Sequence, residues 1–366
     1  MVDPRLSKLA KVLVNYSLKV KEGDLFVIEG NVDSEPLALE VYKEALTVGA
    51  NPFIIPIYEE CRELLLRNGS NEQIAYSNPI YVEVMKKADA LLAIWAEVNT
   101  KALTTVDPAR LNLFSKGRRE AMDIYNERIT NGSMRWCGTQ YPTQASAMDA
   151  DMSLTEYENF VFGSGYIDSP DPSSEWESIH NEQQRLVDYL NTKKTIEVKS
   201  KDTHLTFSSK GRKWINCDGT VNFPDGEVFT SPVEDSMNGH IRFSYPAVYM
   251  SREVIDVEIT FKNGRVVSAK AKKDEAFLNE IIKTDEGAGC VGEFAIGTNY
   301  NIKQFTKNTL FDEKIGGTIH IALGAGMGDA GGINKSAIHW DMICDMHEGE
   351  IYADGELFYK NGKWII

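Results

Sequence analysis

Apolar and polar positions in the first half of the chain alternate between two patterns. Short apolar runs have the length and composition of buried strands at residues 25–30, 51–57, 90–97 and 134–142. Between these runs, apolar residues such as Leu6, Leu9 and Leu13 recur at helical spacing, and Pro36 and Gly49 mark where one helix begins and ends. Buried strands joined by crossover helices predict a parallel sheet that is covered on both faces.

The pattern changes after residue 150. Residues 150–182 are rich in Gly, Ser and Pro and have the chemistry of a loop, which runs into a helix predicted at about 175–192. After Lys194 the chain reads as short alternating strands, with one helix near 274–284. The dipeptides that favour two-residue hairpins are Asn263-Gly264, Asp354-Gly355 and Asn361-Gly362.

The two patterns predict two domains. We expect an α/β N-terminal domain with a parallel sheet over residues 1–185, and a mainly antiparallel α+β C-terminal domain over residues 186–366. A chain of 366 residues is also longer than one ordinary hydrophobic core supports.

Charge and cysteine content limit the function classes. The net charge of −15 repels phosphate backbones, so the composition argues against a nucleic-acid partner. Because no apolar run approaches the roughly 20 residues of a membrane span, we expect no membrane segment. The five cysteines form no CxxC pair, which favours reduced thiols and a cytoplasmic protein.

Candidate chemistry is concentrated in the second half. In AIHWDMI (337–343), a strand would project His339 and Asp341 from one face and Trp340 from the other. An isolated H-x-D pair is more often incidental than a metal site. A single histidine, His320, also lies at the centre of the apolar run TIHIALG. Such a histidine is more often a satisfied core residue, although neutral imidazole is the commonest metal ligand.

Two acidic residues lie in similarly apolar surroundings. Glu227 stands in PDGEVFTSP, and Glu293 stands among small residues in GAGCVGEFAIG. Each could be an exposed surface carboxylate. Neither segment contains a Lys or Arg to pair with a buried Glu, and a buried unpaired carboxylate is costly, so a bound cation is expected at both.

Together the candidates are three carboxylates and two imidazoles. Oxygen and nitrogen donors without thiolates suit zinc, cobalt or manganese. Five ligands exceed what one catalytic zinc needs, so two divalent ions sharing a carboxylate and a water fit the set better. Such a pair is suited to the hydrolysis of peptide bonds.

At these residues the chain resembles the thermophilic-type metallo-aminopeptidases, the aminopeptidase T and aminopeptidase S group. The resemblance is sharpest at residues 205–232, the GE of 292–293, HIALG (320–324) and SAIHWDMI (336–343). It implies metal ligands at Glu227, Glu293, His320, His339 and Asp341, with Glu293 contacting both ions. It also implies a homodimer that removes N-terminal residues from short peptides.

One position departs from that group. The resemblance implies a tyrosine seven residues after His320, where it would hydrogen-bond the tetrahedral intermediate, but this chain has Met327. A thioether donates no hydrogen bond, and the loss of one oxyanion donor typically costs about 10²–10³ in rate. We therefore treat Met327 as a catalytic position beside Glu293. We expect a slow or differently tuned hydrolase, or another donor in that place.

Other functions stay open beside the aminopeptidase. One is a metal-binding relative with weakened catalysis, and another is a two-metal amidohydrolase that acts on a non-peptide amide. The sequence GAGMGDAGG (324–332) also imitates a dinucleotide fingerprint. That fingerprint requires a helix opening at the glycines, whereas this segment leads to another predicted strand.

Overall fold

The computed structural model describes residues 3–250 and 252–366. The α-helices are α1 (Arg5–Lys11), α2 (Glu35–Val48), α3 (Glu59–Asn68), α4 (Asn71–Ile74), α5 (Pro79–Lys87), α6 (Pro108–Thr130), α7 (Gln144–Asp149), α8 (Leu154–Ser164), α9 (Pro172–Asn191), α10 (Glu275–Ile281) and α11 (Thr309–Asp312). Among the helices of the described residues, none is both long and apolar enough to cross a membrane.

The strands of the N-terminal half are β1 (Leu25–Asn31), β2 (Asn51–Ile57), β3 (Ala90–Trp95) and β4 (Arg135–Gln140). Those that follow are β5 (Thr195–Ser200), β6 (Thr203–Ser208), β7 (Ile215–Cys217), β8 (Asn222–Phe223), β9 (Glu227–Thr230), β10 (Asn238–Arg242), β11 (Ala247–Tyr249), β12 (Arg252–Val254), β13 (Glu258–Lys262), β14 (Arg265–Lys270), β15 (Val291–Gly297), β16 (Thr318–Gly324), β17 (His339–Asp345), β18 (Glu350–Ala353), β19 (Glu356–Lys360) and β20 (Lys363–Trp364).

The first compact unit runs to Ser173 and includes residues 219–224. Its sheet is parallel, in the order β2-β1-β3-β4-β8, as the buried apolar runs predicted. The predicted end of α2 is confirmed at Gly49, which has φ +85° and caps the helix in the left-handed conformation.

One prediction in this unit was wrong. The segment assigned to a loop contains α8, whose first turn is closed by a capping box between Ser153 and Glu156. Tyr157 and Val161 on this helix are buried, so an apolar face supports it. The S-x-x-E signature preceding this apolar face was present in the sequence, but the glycines and prolines that follow obscured it.

The second unit comprises residues 174–218 and 225–366. One of its sheets has eight strands in the order β14-β13-β10-β6-β5-β18-β19-β20, and another has five in the order β17-β16-β15-β9-β7. The two sheets share one apolar core, in which the rings of Phe207 and Phe294 lie 4.7 Å apart. Leu186 and Leu190 of α9 join this core. The two units divide between residues 173 and 174, in the first turn of α9, whereas the sequence placed the boundary between residues 185 and 186.

The hairpin predictions are confirmed. Two-residue turns join β13 to β14, β18 to β19 and β19 to β20. Both residues of each turn have positive φ, with Asn263 at 50° and Gly264 at 74° in the first. This is the type I′ geometry that Asn-Gly and Asp-Gly favour, because its twist matches that of the flanking strands.

Candidate metal centre

Strand alternation places the five predicted residues on one face of the five-stranded sheet. The opposite face is apolar and packs into the core of the second unit through Val228, Phe294, Ile321 and Trp340. The site face carries the side chains of Glu227 on β9, Glu293 on β15, His320 on β16, and His339 and Asp341 on β17. The sheet therefore brings together residues that lie more than a hundred positions apart in sequence.

A β-bulge aims Glu293 at this face. Val291 lies in the core, and in a regular strand Glu293, two residues on, would face the core as well. The pairing of β15 with β16 shifts register between Val291 and Glu293, so the carboxylate points to the site face instead of the core. Gly292 allows the shift, because a Cβ there would lie 2.0 Å from the carbonyl oxygen of Ala325.

One cluster of donor atoms consists of Glu227, Glu293 and His320, whose ligand atoms lie within 4.8 Å of one another. Nε2 of His320 is 3.6 Å from Oε2 of Glu227 and 3.6 Å from Oε1 of Glu293. All three residues are buried. This is an enclosed set of two carboxylates and one imidazole.

The second cluster shares Glu293 with the first and adds His339 and Asp341. Nε2 of His339 lies 3.2 Å from Oε2 of Glu293 and 3.6 Å from Oδ1 of Asp341. Glu293 thus turns one oxygen toward each histidine. This arrangement would allow it to contact two ions at once.

The tautomers of both histidines follow from their backbone contacts. Nδ1 of His320 lies 3.1 Å from the carbonyl oxygen of Glu313, and Nδ1 of His339 lies 3.0 Å from that of Ala325. A carbonyl only accepts, so each Nδ1 donates, and a neutral ring then presents the Nε2 lone pair to the carboxylates. Metal-ligating histidines are commonly oriented in this way.

These contacts test whether the residues fit a cation. Imidazole lone pairs facing carboxylate oxygens repel unless a positive charge lies between them. Oε2 of Glu227 and Oδ1 of Asp341 are buried and have no hydrogen-bond partner among the described residues. The donor set of carboxylate oxygens and imidazole nitrogens matches zinc, cobalt or manganese. The residues therefore fit divalent ions.

The electrostatics of the site point the same way. Burial alone would lower the pKa of His320, but the neighbouring carboxylates of Glu293, Glu227 and Asp341 outweigh it and raise that pKa to about 10. For His339 the effect of burial is likewise outweighed by Asp341 and Glu293, which raise the pKa to about 11. The cluster thus attracts positive charge strongly.

The sequence missed three charged residues that complete this cluster. Lys314 is only 1% exposed, and its Nζ lies 2.9 Å from Oε1 of Glu227 and 3.8 Å from Oδ1 of Asp225. Lys314 also forms an ion pair with Glu313, whose carboxylate groups with His320 and Asp341. The expectation that Glu227 has no basic partner was therefore wrong.

The partner of Glu227 lies outside its local segment. Lys314 follows Glu227 by 87 residues and reaches it through the fold. A signal was present, because three consecutive charged residues, Asp312, Glu313 and Lys314, lie between Phe311 and Ile315. Charged residues are rarely buried unless they are paired.

Met327 lies in the loop after β16. Its backbone N–H donates to Oγ of Ser231 at 2.8 Å, and that hydroxyl donates to the carbonyl oxygen of Gly292 in the bulge. The Met327 side chain packs against the apolar cluster that includes Phe229 and Ala295. Ala295 is paired with His320 on the neighbouring strand, so Met327 lies beside the donor cluster.

The glycines around Met327 do not open a helix. Residues 328–330 form a single 3-10 turn, and the next named strand begins at His339. A dinucleotide fingerprint needs the N-terminus of a crossover helix at that point. This geometry argues against the nucleotide interpretation, in agreement with the sequence.

A cleft opens beside Asp341 and Glu313 within the second unit. Its other lining residues are Pro246, Val248, Phe305, Lys307, Thr309, Asp312 and Ile343. The free space there measures about 20 Å³, room for about one water molecule, and it borders both apolar side chains and carboxylates of the donor cluster.

Comparisons with known proteins return metalloprotease and aminopeptidase relatives. The profile of the family described as thermophilic metalloprotease (M29) matches residues 2–364. Aminopeptidase 2 of Geobacillus stearothermophilus is 25% identical over 409 residues, covering 100% of this chain and 98% of the relative. Aminopeptidase T of Thermus thermophilus is 25% identical over 405 residues, covering 99% and 98%.

Solved structures share the fold. Wild-type AmpT from Thermus thermophilus superposes with a TM-score of 0.86 at 23% identity, covering 99% of both chains. A 2,5-dihydroxypyridine dioxygenase from Pseudomonas putida KT2440 gives a TM-score of 0.57 at 11% identity, covering 98% and 96%. The second match shows that one fold accompanies different activities, so the chemistry has to be argued from the site.

Proposed function

This chain belongs to the thermophilic metalloprotease family M29, and on that premise we propose that it is an aminopeptidase that uses two divalent metal ions. Its curated relatives are aminopeptidases that align over nearly their whole length. The observation that supports the proposal most is the convergence of five donor residues on one sheet face, with Glu293 turned toward both histidines.

The two clusters define the proposed ligand sets. Glu227, Glu293 and His320 would hold one ion, and Glu293, His339 and Asp341 would hold the other. Glu313 would add an oxygen donor, because its carboxylate groups with His320 and Asp341. Zinc, cobalt and manganese all suit this combination of ligands.

When bound, a pair of divalent ions lowers the pKa of a water and polarises the scissile carbonyl group. The protein residues supply the positioning. The Nδ1 hydrogen bonds of His320 and His339 fix both rings, and the bulge at Gly292 fixes the carboxylate of Glu293.

Met327 sets the expected rate. Because a thioether cannot donate a hydrogen bond to the oxyanion, we propose a slow or differently tuned peptidase unless another donor serves. The position of Met327 beside Ala295 and Phe229 supports this, since a donor on that side chain would lie near the cluster.

The proposal includes a homodimer in the cytoplasm. The dimer follows from the resemblance to the aminopeptidase T and S group. Cys61, Cys217, Cys290 and Cys344 are free thiols, which supports a reducing compartment. Light scattering that gave the mass of a single chain would remove the dimer from the proposal.

Turnover of leucine p-nitroanilide by the purified full-length chain tests the function. We expect hydrolysis that a chelator abolishes and that Co²⁺ or Zn²⁺ restores. Metal binding without turnover of any peptide would favour the catalytically weakened relative. A panel of peptides with free and with blocked N-termini distinguishes an aminopeptidase from another amidohydrolase. An aminopeptidase requires the free amine, and an amidohydrolase of another kind does not.

A further inference from the structure

A buried lysine lies directly behind the donor cluster. The Lys314 side chain is 1% exposed and is surrounded by the carboxylates of Asp225, Glu227 and Glu313. Burying an ammonium group is costly unless it is paired, so its place in the structure depends on these three partners. It lies away from solvent and is enclosed by carboxylates, so it is not placed to contact a substrate.

The contact with Glu227 divides that carboxylate between two partners. Oε1 accepts a hydrogen bond from Nζ of Lys314 at 2.9 Å. Oε2 lies 3.6 Å from Nε2 of His320 and has no hydrogen-bond partner among the described residues. One oxygen is therefore occupied by the protein, and the other faces the position assigned to an ion.

The backbone holds Lys314 in place. Its N–H donates to the carbonyl oxygen of Phe311, and its own carbonyl accepts from the N–H of Asn299 at 3.0 Å. The side-chain amide of Asn299 donates to the carbonyl oxygen of Asp225 at 2.8 Å. Lys314 and one of its carboxylate partners, Asp225, are thus connected through Asn299.

We propose that Lys314 is a positioning residue of the metal centre, which holds Oε1 of Glu227 so that only Oε2 is offered as a ligand. This inference rests on the proposed two-metal function. It also accounts for the charge of the site, because Lys314 balances one of the five clustered carboxylates and two divalent ions balance the other four.

Two substitutions distinguish positioning from a general need for charge. Lys314→Met removes the ammonium group but keeps an unbranched side chain. Lys314→Arg keeps the charge but offers a fork that binds both oxygens of a carboxylate. If Lys314 positions Glu227, both variants weaken the binding of the ion that Glu227 holds. If the protein needs only a buried positive charge, Lys314→Arg binds metal as the wild type does.

The test is a calorimetric titration of the chelator-treated full-length chain with Co²⁺, with metal analysis after dialysis. We expect two ions in the wild type and a loss of affinity of roughly 10–100-fold at one site alone in either Lys314 variant. Glu227→Ala should likewise lose metal affinity at one site alone. The double variant that combines Lys314→Met with Glu227→Ala should lose no more affinity at that site than Glu227→Ala does.

Two results would overturn the inference while leaving the proposed function intact. One is unchanged binding of two ions by Lys314→Met or Lys314→Arg when Glu227→Ala loses one. The other is independent losses that multiply in the double variant. A wild-type chain that binds no Co²⁺ would instead refute the proposed function, and the inference with it. Circular dichroism identifies a misfolded Lys314→Met, in which case Lys314→Arg decides.

Discussion

Ala322 lies directly opposite Asp341 in the pairing of β16 with β17, and opposite Glu293 in the pairing of β15 with β16. Residues opposite one another in a sheet have Cβ atoms about 5 Å apart, so a single methyl group separates two carboxylates on the site face. The small side chain leaves the volume above it to a ligand of those carboxylates.

Enlarging this residue should therefore exclude metal. We predict that Ala322→Leu loses bound Co²⁺ at the cluster containing Glu293 and Asp341, because the isobutyl group fills the space between them. Ala322→Ser is the matched control, since it stays small and should retain the metal. Metal analysis after dialysis measures both, and full retention by Ala322→Leu would contradict this geometry.

The bulge at Gly292 offers a second prediction. A Cβ at this residue would lie 2.0 Å from the carbonyl oxygen of Ala325, so Gly292→Ala must disturb the register that aims Glu293 at the site. We expect loss of metal and a lower melting temperature. Gly289→Ala is the control, because its Cβ would have no neighbour closer than 3.6 Å. Equal behaviour of the two variants would count against the role of the bulge.

Met327→Tyr tests the missing donor. If the absent hydroxyl limits the rate, restoring it should raise kcat for leucine p-nitroanilide by up to about 10²–10³-fold. Met327→Phe adds the aromatic ring without the hydroxyl group and should not raise kcat. Steady-state kinetics with cobalt-loaded protein measures the difference, and equal turnover by both variants would mean that another group stabilises the oxyanion.

Asp285 supports the approach to β17 in a pH-dependent way. Its carboxylate accepts hydrogen bonds from the N–H groups of Ala337 at 2.7 Å and Gly287 at 2.9 Å. The backbone bond from Ala337, outweighing burial, lowers the pKa of Asp285 below its ordinary value. A lowered pKa means that the ionised form stabilises the folded protein above the unfolded pKa of about 3.9, and that this contribution is lost as pH falls through the folded pKa.

Asp285→Asn should therefore lower the melting temperature at pH 6, and the difference from the wild type should narrow as pH falls below about 4. Thermal melts followed by circular dichroism measure the melting temperatures of both proteins at each pH. A difference that stayed constant between pH 6 and pH 3 would show that ionisation of Asp285 contributes nothing.

Local pattern predicted most of the fold. The helix end at Gly49 and the turn at Asn263-Gly264 depend on glycine chemistry within a few residues, so the sequence located both. The helix α8 was missed because glycines and prolines nearby outweighed the capping box at Ser153. Errors of this kind arise when two local signals compete.

The site was predictable where strand alternation alone decides orientation. His339 and Asp341 share a face because they are two residues apart. The orientation of Glu293 depends on a bulge, and the partner of Glu227 is Lys314, which the sequence places far away. These features depend on the pairing of strands and loops in three dimensions, and no local pattern specifies them.

Metal analysis of the purified full-length chain tests most directly whether Glu293 is shared between two metal ions. Glu286→Ala is a suitable control, because that side chain is 96% exposed in the loop that precedes β15. We predict two divalent ions per chain in the wild type and in Glu286→Ala, and severe loss of both ions in Glu293→Ala. Two tightly bound ions in Glu293→Ala would contradict the account.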